Sequence, residues 1–417
     1  MAMNVQTLKG FRDFLPLEKR KRDYVRGKVI EIFERFGFEP LETPTLEYAS
    51  LLLGKYGEEA DKLVYTFEDR GERKVGLRYD QTVPTARVLA QYTNELPRFF
   101  RRYQIQNVFR ADKPQKGRFR EFTQCDIDIF GTTSPLADAE ILSCTYFAFK
   151  NVGYANILLK VNDRQVLIAT LKPFATEAVS VFSIIQSIDK LDKQTKEEVA
   201  TELVEKGISS ENAQKILESI TAAKLSENLQ TIIDATKALG VPEKDIAFTP
   251  TLARGLDYYT GMIFEVMIPE YGVGSCGGGG RYDNLIGELS GNSIPAVGVG
   301  MGFDRMVEAA DTLGLFPKSI TQTAQVLVTV FSKELEQKSL EVSSLLRSNN
   351  ISTELWVEPN AKLDKQFKYA DEKGIPFAVI IGPEEAEKQM VTVKNLQTRE
   401  QTQVTISKLP GFFQEKK

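Results

Sequence analysis

Residues Phe99–Phe130 restrict the possible folds more than any other stretch of the chain. Two arms rich in Phe, Tyr, Ile and Val flank the polar run Lys113-Pro114-Gln115-Lys116-Gly117-Arg118. Apolar, β-forming arms joined by a loop with Pro and Gly specify a long antiparallel hairpin. Side chains on a strand alternate between faces. On the second arm Phe119, Glu121, Thr123, Cys125, Ile127 and Ile129 share one face, which is largely apolar. Arg118, Arg120, Phe122, Gln124, Asp126 and Asp128 share the other. That second face is either the wet outside of a one-sided sheet or the floor of a ligand site. As a floor it offers arginines for phosphate, Phe122 for a planar base, and carboxylates for an amine or nitrogen heterocycle. Phe122 to Asp128 spans roughly 20 Å at about 3.3 Å per residue, room for an extended nucleotide-plus-small-molecule ligand. The first arm adds Arg110 and Asp112. Arg78, Asp80 and Thr82 repeat the theme opposite Leu77 and Tyr79, where a strand end facing solvent is the alternative.

Elsewhere the chain alternates in texture. Residues 17–36 read as an amphipathic helix whose Lys19-Arg20-Lys21-Arg22 run is a solvated face or a nucleic-acid patch, the former preferred. Val75–Tyr79 reads as a strand, and Thr82 as the cap of a helix with Pro84 near its start. Residues 136–150 are helical. Between about 166 and 240, apolar residues such as Ile216, Leu217, Ile220, Leu229, Ile232 and Ile233 fall at helical spacing, which marks a helical insertion. Residues 251–306 return to strands and glycine-rich turns. After Pro317, strands at 326–331, 352–357 and 377–381 alternate with helices at 333–348 and 362–373, so a separate α/β domain is expected, with its boundary near 316–323.

Composition removes whole classes of chemistry. The 417 residues include no histidine, so histidine-based acid–base catalysis, Ser–His or Cys–His triads and histidine-ligated metals are excluded. An apolar share of 42% with 26% charged residues belongs to a globular chain rather than a disordered or collagen-like one. The net charge of −4 means that any nucleic-acid contact must come from locally concentrated basic residues. Cys125, Cys144 and Cys276 form no CxxC pair, and suggest neither a zinc site nor a disulfide framework. With no apolar signal core near the N-terminus and no membrane-length apolar run, a cytoplasmic protein without a membrane span is expected.

Residues Gly298-Val299-Gly300-Met301-Gly302-Phe303-Asp304-Arg305 place glycines at alternate positions. Such a strand has one bare face, on which a flat ligand can lie or a helix can pack. The spacing is not that of a dinucleotide-binding turn. Phe109-Arg110-Ala111-Asp112 with Gly117-Arg118 and Phe122 resembles motif 2 of class II aminoacyl-tRNA synthetases, residues 298–305 resemble motif 3, and Phe36-Gly37-Phe38 through Pro44 resembles the dimer-forming motif 1. Leu252-Ala253-Arg254-Gly255-Leu256-Asp257-Tyr258-Tyr259-Thr260-Gly261 and Gly277-Gly278-Gly279-Gly280-Arg281-Tyr282-Asp283-Asn284-Leu285 resemble the two signatures of histidyl-tRNA synthetases. Ala361–Ala370 is similar to part of that family's anticodon-binding domain, and the resemblance covers nearly the whole chain.

The resemblance implies an α+β catalytic domain with a mixed, mostly antiparallel sheet, in two parts (1–165 and 249–318) around a helical insertion at 166–248. A C-terminal α/β anticodon-binding domain follows at 323–417. It implies ATP-dependent charging of tRNA(His) through a histidyl-adenylate, Mg²⁺ escorting the pyrophosphate, and a homodimer. Arg110 and Arg254 would serve the reacting α-phosphate. Asp112, Arg118, Phe122 and Arg305 would join Arg110 in holding ATP, with Asp112 standing where motif 2 usually carries glutamate. Asp80, Thr82 and Gln124 would take the α-ammonium. Asp128 and Tyr259 would take the imidazole, with Tyr258 and Tyr282 nearby. Gln115 and Lys116 would meet tRNA, and no metal ligands are assigned. Two alternatives stay open: a non-catalytic regulatory subunit of ATP phosphoribosyltransferase, disfavoured by the complete signatures, and a class II synthetase for another amino acid.

Overall fold

The first helix shows how the pattern works. In the computed structural model, Pro16–Arg35 is helical, with proline in its first turn, where a missing N–H costs nothing. Val25, Val29, Ile32 and Phe33 fall on one stripe and are buried. The structure describes residues 5–53, 62–113, 119–254, 258–291, 293–321, 324–358 and 361–415. They fall into two units, Met1–Leu315 and Phe316–Lys417. The basic run in this helix departs from the solvated-face expectation. Lys19 pairs with Asp23 and Lys21 with Asp311. Arg22 turns inward, pairs with Asp304, and donates to Thr123 Oγ1 at 2.7 Å.

Eleven strands are found among the described residues of the first unit. β1 is Glu39–Pro40; β2 (Leu46–Tyr48), β3 (Thr66–Glu68) and β4 (Lys74–Leu77) form a small antiparallel sheet in the order β2-β4-β3. β5 (Arg101–Phe109) and β6 (Glu121–Phe130) are the arms of the expected hairpin. β7 (Leu158–Asp163), β8 (Ile246–Phe248), β9 (Met262–Met267), β10 (Gly277–Arg281) and β11 (Ala296–Gly302) complete an eight-stranded sheet ordered β1-β5-β6-β11-β10-β9-β7-β8. Only the β1–β5 and β7–β8 pairs are parallel, so the sheet is mixed and mostly antiparallel.

Helices Pro16–Arg35, Pro135–Val152 and Phe303–Thr312 pack together and against this sheet. The odd-numbered side chains of β6 fill the core there: Cys125, Ile127 and Ile129 are at most 2% exposed. Burying each such isoleucine is worth roughly 1.5–3 kcal/mol. The Pro135–Val152 helix is capped by Ser134 and closed by Gly153 at φ 118°, a conformation natural to glycine. Five α-helices lie between Arg164 and Ala238, each capped by a Ser, Thr or Asp side chain that accepts a backbone N–H of its first turn. Ile216, Leu217, Ile220, Leu229 and Ile232 are buried, as their spacing indicates. Their cluster runs on to Leu252, Tyr259 and Tyr282.

In the second unit β12 (Val326–Val328), β13 (Thr353–Leu355), β14 (Phe377–Ile380), β15 (Met390–Asn395) and β16 (Gln401–Thr405) form a sheet ordered β13-β12-β14-β15-β16. The first three strands are parallel and are joined by helices Glu336–Ser348 and Leu363–Glu372. Trp356 is buried edge-on against Tyr369. Buried Gln366 satisfies both the N–H and the carbonyl of Val330.

One ion pair fixes the start of the long helix to the sheet. The guanidinium of Arg281 grips Asp138 and also donates to Thr132 O at 2.9 Å and Asp283 Oδ1 at 3.0 Å. Burial pushes the Asp138 carboxyl up to about 6, against the pull of Arg281. Asp138→Ala strands a buried guanidinium, and a stability loss of about 3 kcal/mol or more is expected, measured by urea denaturation followed by far-UV circular dichroism.

Candidate active site

The register between β6 and β11 builds the floor of the site. Asp128 lies opposite Gly298, Asp126 opposite Gly300, and Gln124 opposite Gly302. A Cβ on Gly298 would stand 1.8 Å from Asp128 Oδ1, and one on Gly300 would stand 3.3 Å from Asp126 Oδ1. The alternate glycines therefore make room for the carboxylates of the neighbouring strand. The wet-face reading of the even positions fails, because Asp126 and Asp128 are each only 5% exposed. Arg78 likewise does not face solvent. It is buried and donates to Asn107 O at 2.6 Å and Thr43 O at 2.7 Å.

An open pocket of about 260 Å³ occupies one end of this floor. Arg110, Asp112, Phe122, Gln124, Gly300, Gly302, Asp304 and Arg305 line it. Arg110 donates to Tyr79 O at 3.2 Å, and its guanidinium lies 4.3 Å from the Tyr79 ring centroid and 5.2 Å from that of Phe122. A planar cation and an aromatic ring thus share one wall with backbone left bare by glycine.

Polar side chains crowd the other end. Tyr282 donates its hydroxyl to Asp128 Oδ1. Arg102 Nη2 lies 2.7 Å from Asp128 Oδ2, an ion contact without hydrogen-bond alignment. The Tyr258 ring stands 4.6 Å from that of Tyr259 and 5.9 Å from that of Tyr282. Arg254 adopts φ 48°, a left-handed conformation uncommon outside glycine. Its Nη1 lies 3.3 Å from Glu265 Oε1. A Cβ on Gly278 would stand 1.6 Å from Arg254 Nη1, so the bare β10 backbone is what lets this guanidinium lie down. Glu265 is the register partner of Gly278 on β9. Asp80 accepts from Val83 N at 3.1 Å and so caps the Thr82–Gln91 helix. The cap expected of Thr82 is a correction: Thr82 is already the first helical residue, so the acceptor comes from two positions earlier.

Burial dominates the titration of the floor. It pushes Asp126 up to about 8, with Arg102 opposing and the like charges of Asp128 and Asp80 adding to it. It raises Asp128 against Arg102 and Tyr282, and holds Tyr258 and Tyr282 well above the usual phenol range. Burial works against the Arg254 charge, yet Tyr259 and Glu265 more than offset it. Gln81 Oε1, Gln124 Oε1, Asp126 Oδ1 and Asp128 Oδ2 are buried acceptors without a hydrogen-bond donor among the described residues. Such groups in native structures are ordinarily paired, so this end calls for a ligand carrying N–H donors.

Residues 10–306 match the family model for histidyl-tRNA synthetase, and residues 325–416 match that for an anticodon binding domain. The histidine–tRNA ligase of Rhodopirellula baltica is 39% identical over 96% of both chains. That of Christiangramia forsetii is 37% identical over 99% of both. The chain belongs to the histidyl-tRNA synthetase family. A crystal structure of histidyl-tRNA synthetase from Nostoc sp. PCC 7120 superposes over the full length of both chains with a TM-score of 0.86 at 32% identity.

Among residues singled out from the histidyl-tRNA synthetase signatures, the fold brings Arg110, Asp112, Phe122, Gln124 and Arg305 to one pocket. It links Asp128, Tyr282, Tyr258, Tyr259 and Arg254 by hydrogen bond and ring contact. Asp80 lies within electrostatic reach of Asp126 and Tyr258, and Thr82 follows it at the helix start. Gln115, Lys116 and Arg118 lie outside the described residues. Sequence reading placed Asp126 on the ligand face without a role of its own, and missed Arg102 and Glu265. Their signal lay in strand register: Arg102 is the cross-strand partner of Asp128. Gly298→Ala forces backbone or Asp128 to move and is expected to cost about 1–3 kcal/mol, whereas Gly300→Ala stays milder. Thermal melting of the two variants checks this order.

Proposed function

We propose that the chain attaches histidine to the 3′ end of tRNA(His) in two steps, using ATP and passing through a histidyl-adenylate. The observation that carries this reading is the division of one strand face. A cationic, aromatic pocket sits at Phe122, and a set of buried acceptors lacking donors sits at Gln124–Asp128. The first end suits a nucleotide, and the second an ammonium and an imidazole.

In the first step the histidine carboxylate attacks the α-phosphate and pyrophosphate leaves. The nucleophile is already anionic, so no histidine base is required of the protein. The work lies in positioning and in neutralising charge at phosphorus. Arg110 and Arg254 do this from two sides, because guanidinium stays protonated and binds oxygen pairs in a plane. Arg305 and Arg118 hold the outer phosphates, Asp112 supports the ATP pocket, and adenine lies between Phe122 and Arg305. Mg²⁺ enters with ATP as part of the substrate. Asp80, Thr82 and Gln124 receive the α-ammonium. Asp128 and Tyr259 pair the imidazole nitrogens, with Tyr282 holding Asp128 in place and Tyr258 backing Tyr259. A site that pairs polar atoms rejects ligands lacking them by roughly 10⁴–10⁵. In the second step the terminal 3′-hydroxyl of tRNA attacks the carbonyl of the histidyl-adenylate, an ester forms, and AMP leaves.

Gln115 and Lys116 meet the acceptor end in this reading. The exposed row Lys362, Lys365 and Lys368 faces phosphates of the anticodon arm; Lys365 pairs with exposed Glu358 and stands over the Trp356 ring, and Lys368 pairs with exposed Glu372. The core in two parts (1–165 and 249–318), the insertion (166–248) and the C-terminal domain (323–417) divide these tasks. A homodimer forms around the motif 1 segment, and exposed Leu46, Tyr48 and Phe67 on the small sheet support an apolar interface there. No described helix is long and apolar enough to cross a membrane, and three free, buried thiols suit a reducing cytoplasm.

ATP–pyrophosphate exchange with each of the twenty amino acids tests the reading. Histidine alone is expected to support exchange, and silence with all twenty moves the chain to the non-catalytic regulatory alternative. Arg110→Ala and Arg254→Ala are each expected to lower kcat by roughly 10²–10³. Tyr259→Phe should raise the KM for histidine while leaving that for ATP unchanged.

A further inference from the structure

We infer that Asp126 is a substrate-contacting specificity residue, whose buried carboxylate receives the α-ammonium of the amino acid alongside Asp80. This rests on the proposed function and adds a residue that the family signatures do not single out. Asp126 sits on the floor between Gln124 and Asp128, on the same strand face as both. It is 5% exposed, and its Oδ1 has no hydrogen-bond donor among the described residues. Gly300 lies opposite, and a Cβ there would press on this same oxygen at 3.3 Å. The space above Asp126 is therefore kept open by the backbone.

Charge balance points the same way. Arg102 from β5 and Asp80 ahead of the Thr82–Gln91 helix act on Asp126, as do Asp128 on β6 and Arg110 at the hairpin end. β5 also places Gln104 as its cross-strand partner, while β11 offers only glycine. Arg102 is already 2.7 Å from Asp128, and Arg110 is turned to Tyr79 and Phe122. Three carboxylates thus meet two guanidiniums: Arg110 is turned away, and Arg102 reaches Asp128 through Nη2 while its Nε and Nη1 have no hydrogen-bond partner among the described residues. Burial favours the neutral acid in this environment, with the carboxyl pushed up to about 8, and a bound cation reverses that preference. Asp126 Oδ1, buried without a hydrogen-bond donor among the described residues, has no structural partner there, whereas an ammonium supplies the missing donor and the missing charge.

The test pairs two ligands that differ at the group in question. Histidinol keeps the ammonium, and desamino-histidine (imidazolepropionate) lacks it. Both are measured as inhibitors of histidine-dependent exchange by wild type and Asp126→Asn. The variant is expected to weaken histidinol, and to raise the histidine KM, by roughly tenfold to a hundredfold, the range for a hydrogen bond to a charged group. Desamino-histidine inhibition and the ATP KM should not move. Equal loss for both ligands, or no loss for either, overturns the inference. Asp126→Ser serves in the same comparison if the asparagine variant does not fold. Wild-type protein without histidine-dependent exchange would instead sink the functional reading itself, so the two failures are distinguishable.

Discussion

The antiparallel register of β6 on β11 is the constraint on which the site depends. A strand has period two, so a slip of one residue would send Gln124, Asp126 and Asp128 into the helix-covered core and bring Cys125, Ile127 and Ile129 out. The slip is opposed from both sides. The isoleucines lose their burial, and the aspartates lose the hollows over Gly298 and Gly300. The same alternation that forms the core thereby sets the order of chemical groups along the ligand floor. Packing and recognition are two faces of one strand.

Placing so many charges out of water needs compensation, and the fold supplies it unevenly. Arg281 and Asp138, both well buried, are matched by several hydrogen bonds and act as a structural tie. Arg102 and Asp128 touch without good alignment, and Asp126 Oδ1 lacks a donor among the described residues. Desolvation is tolerated where partners are complete. Where they are incomplete, it stores a preference for whatever ligand completes them. The contrast between these two groups separates architecture from recognition within a single sheet.

Much of this was legible beforehand for definite reasons. The hairpin arms, the helical spacing of Ile216, Leu217 and Ile220, and the strand–helix alternation after Pro317 are local patterns, and local patterns survive folding. The strands at 326–331 and 352–357 are shorter than read, Val326–Val328 and Thr353–Leu355, since their ends pass into loops. Side-chain direction was harder to read. Arg22 looked like one more solvated base, yet it points at Asp304, which is distant in sequence. Arg78 fits either a ligand face or a solvent-facing strand end, yet it serves backbone carbonyls of two other segments. Arg102 and Glu265 carried no signal of residue type, because their meaning comes from cross-strand partners. What the sequence withheld was pairing between distant segments rather than the identity of the elements.

The pocket is furnished with carboxylates, amides, phenols and guanidiniums, and the chain as a whole contains no histidine. The protein therefore contributes no imidazole resonance of its own. In a complex with the amino acid proposed here, every imidazole proton or ring-nitrogen resonance would belong to the ligand. Its tautomer and protonation state could be read from ¹⁵N-labelled ligand, without a single substitution in the protein.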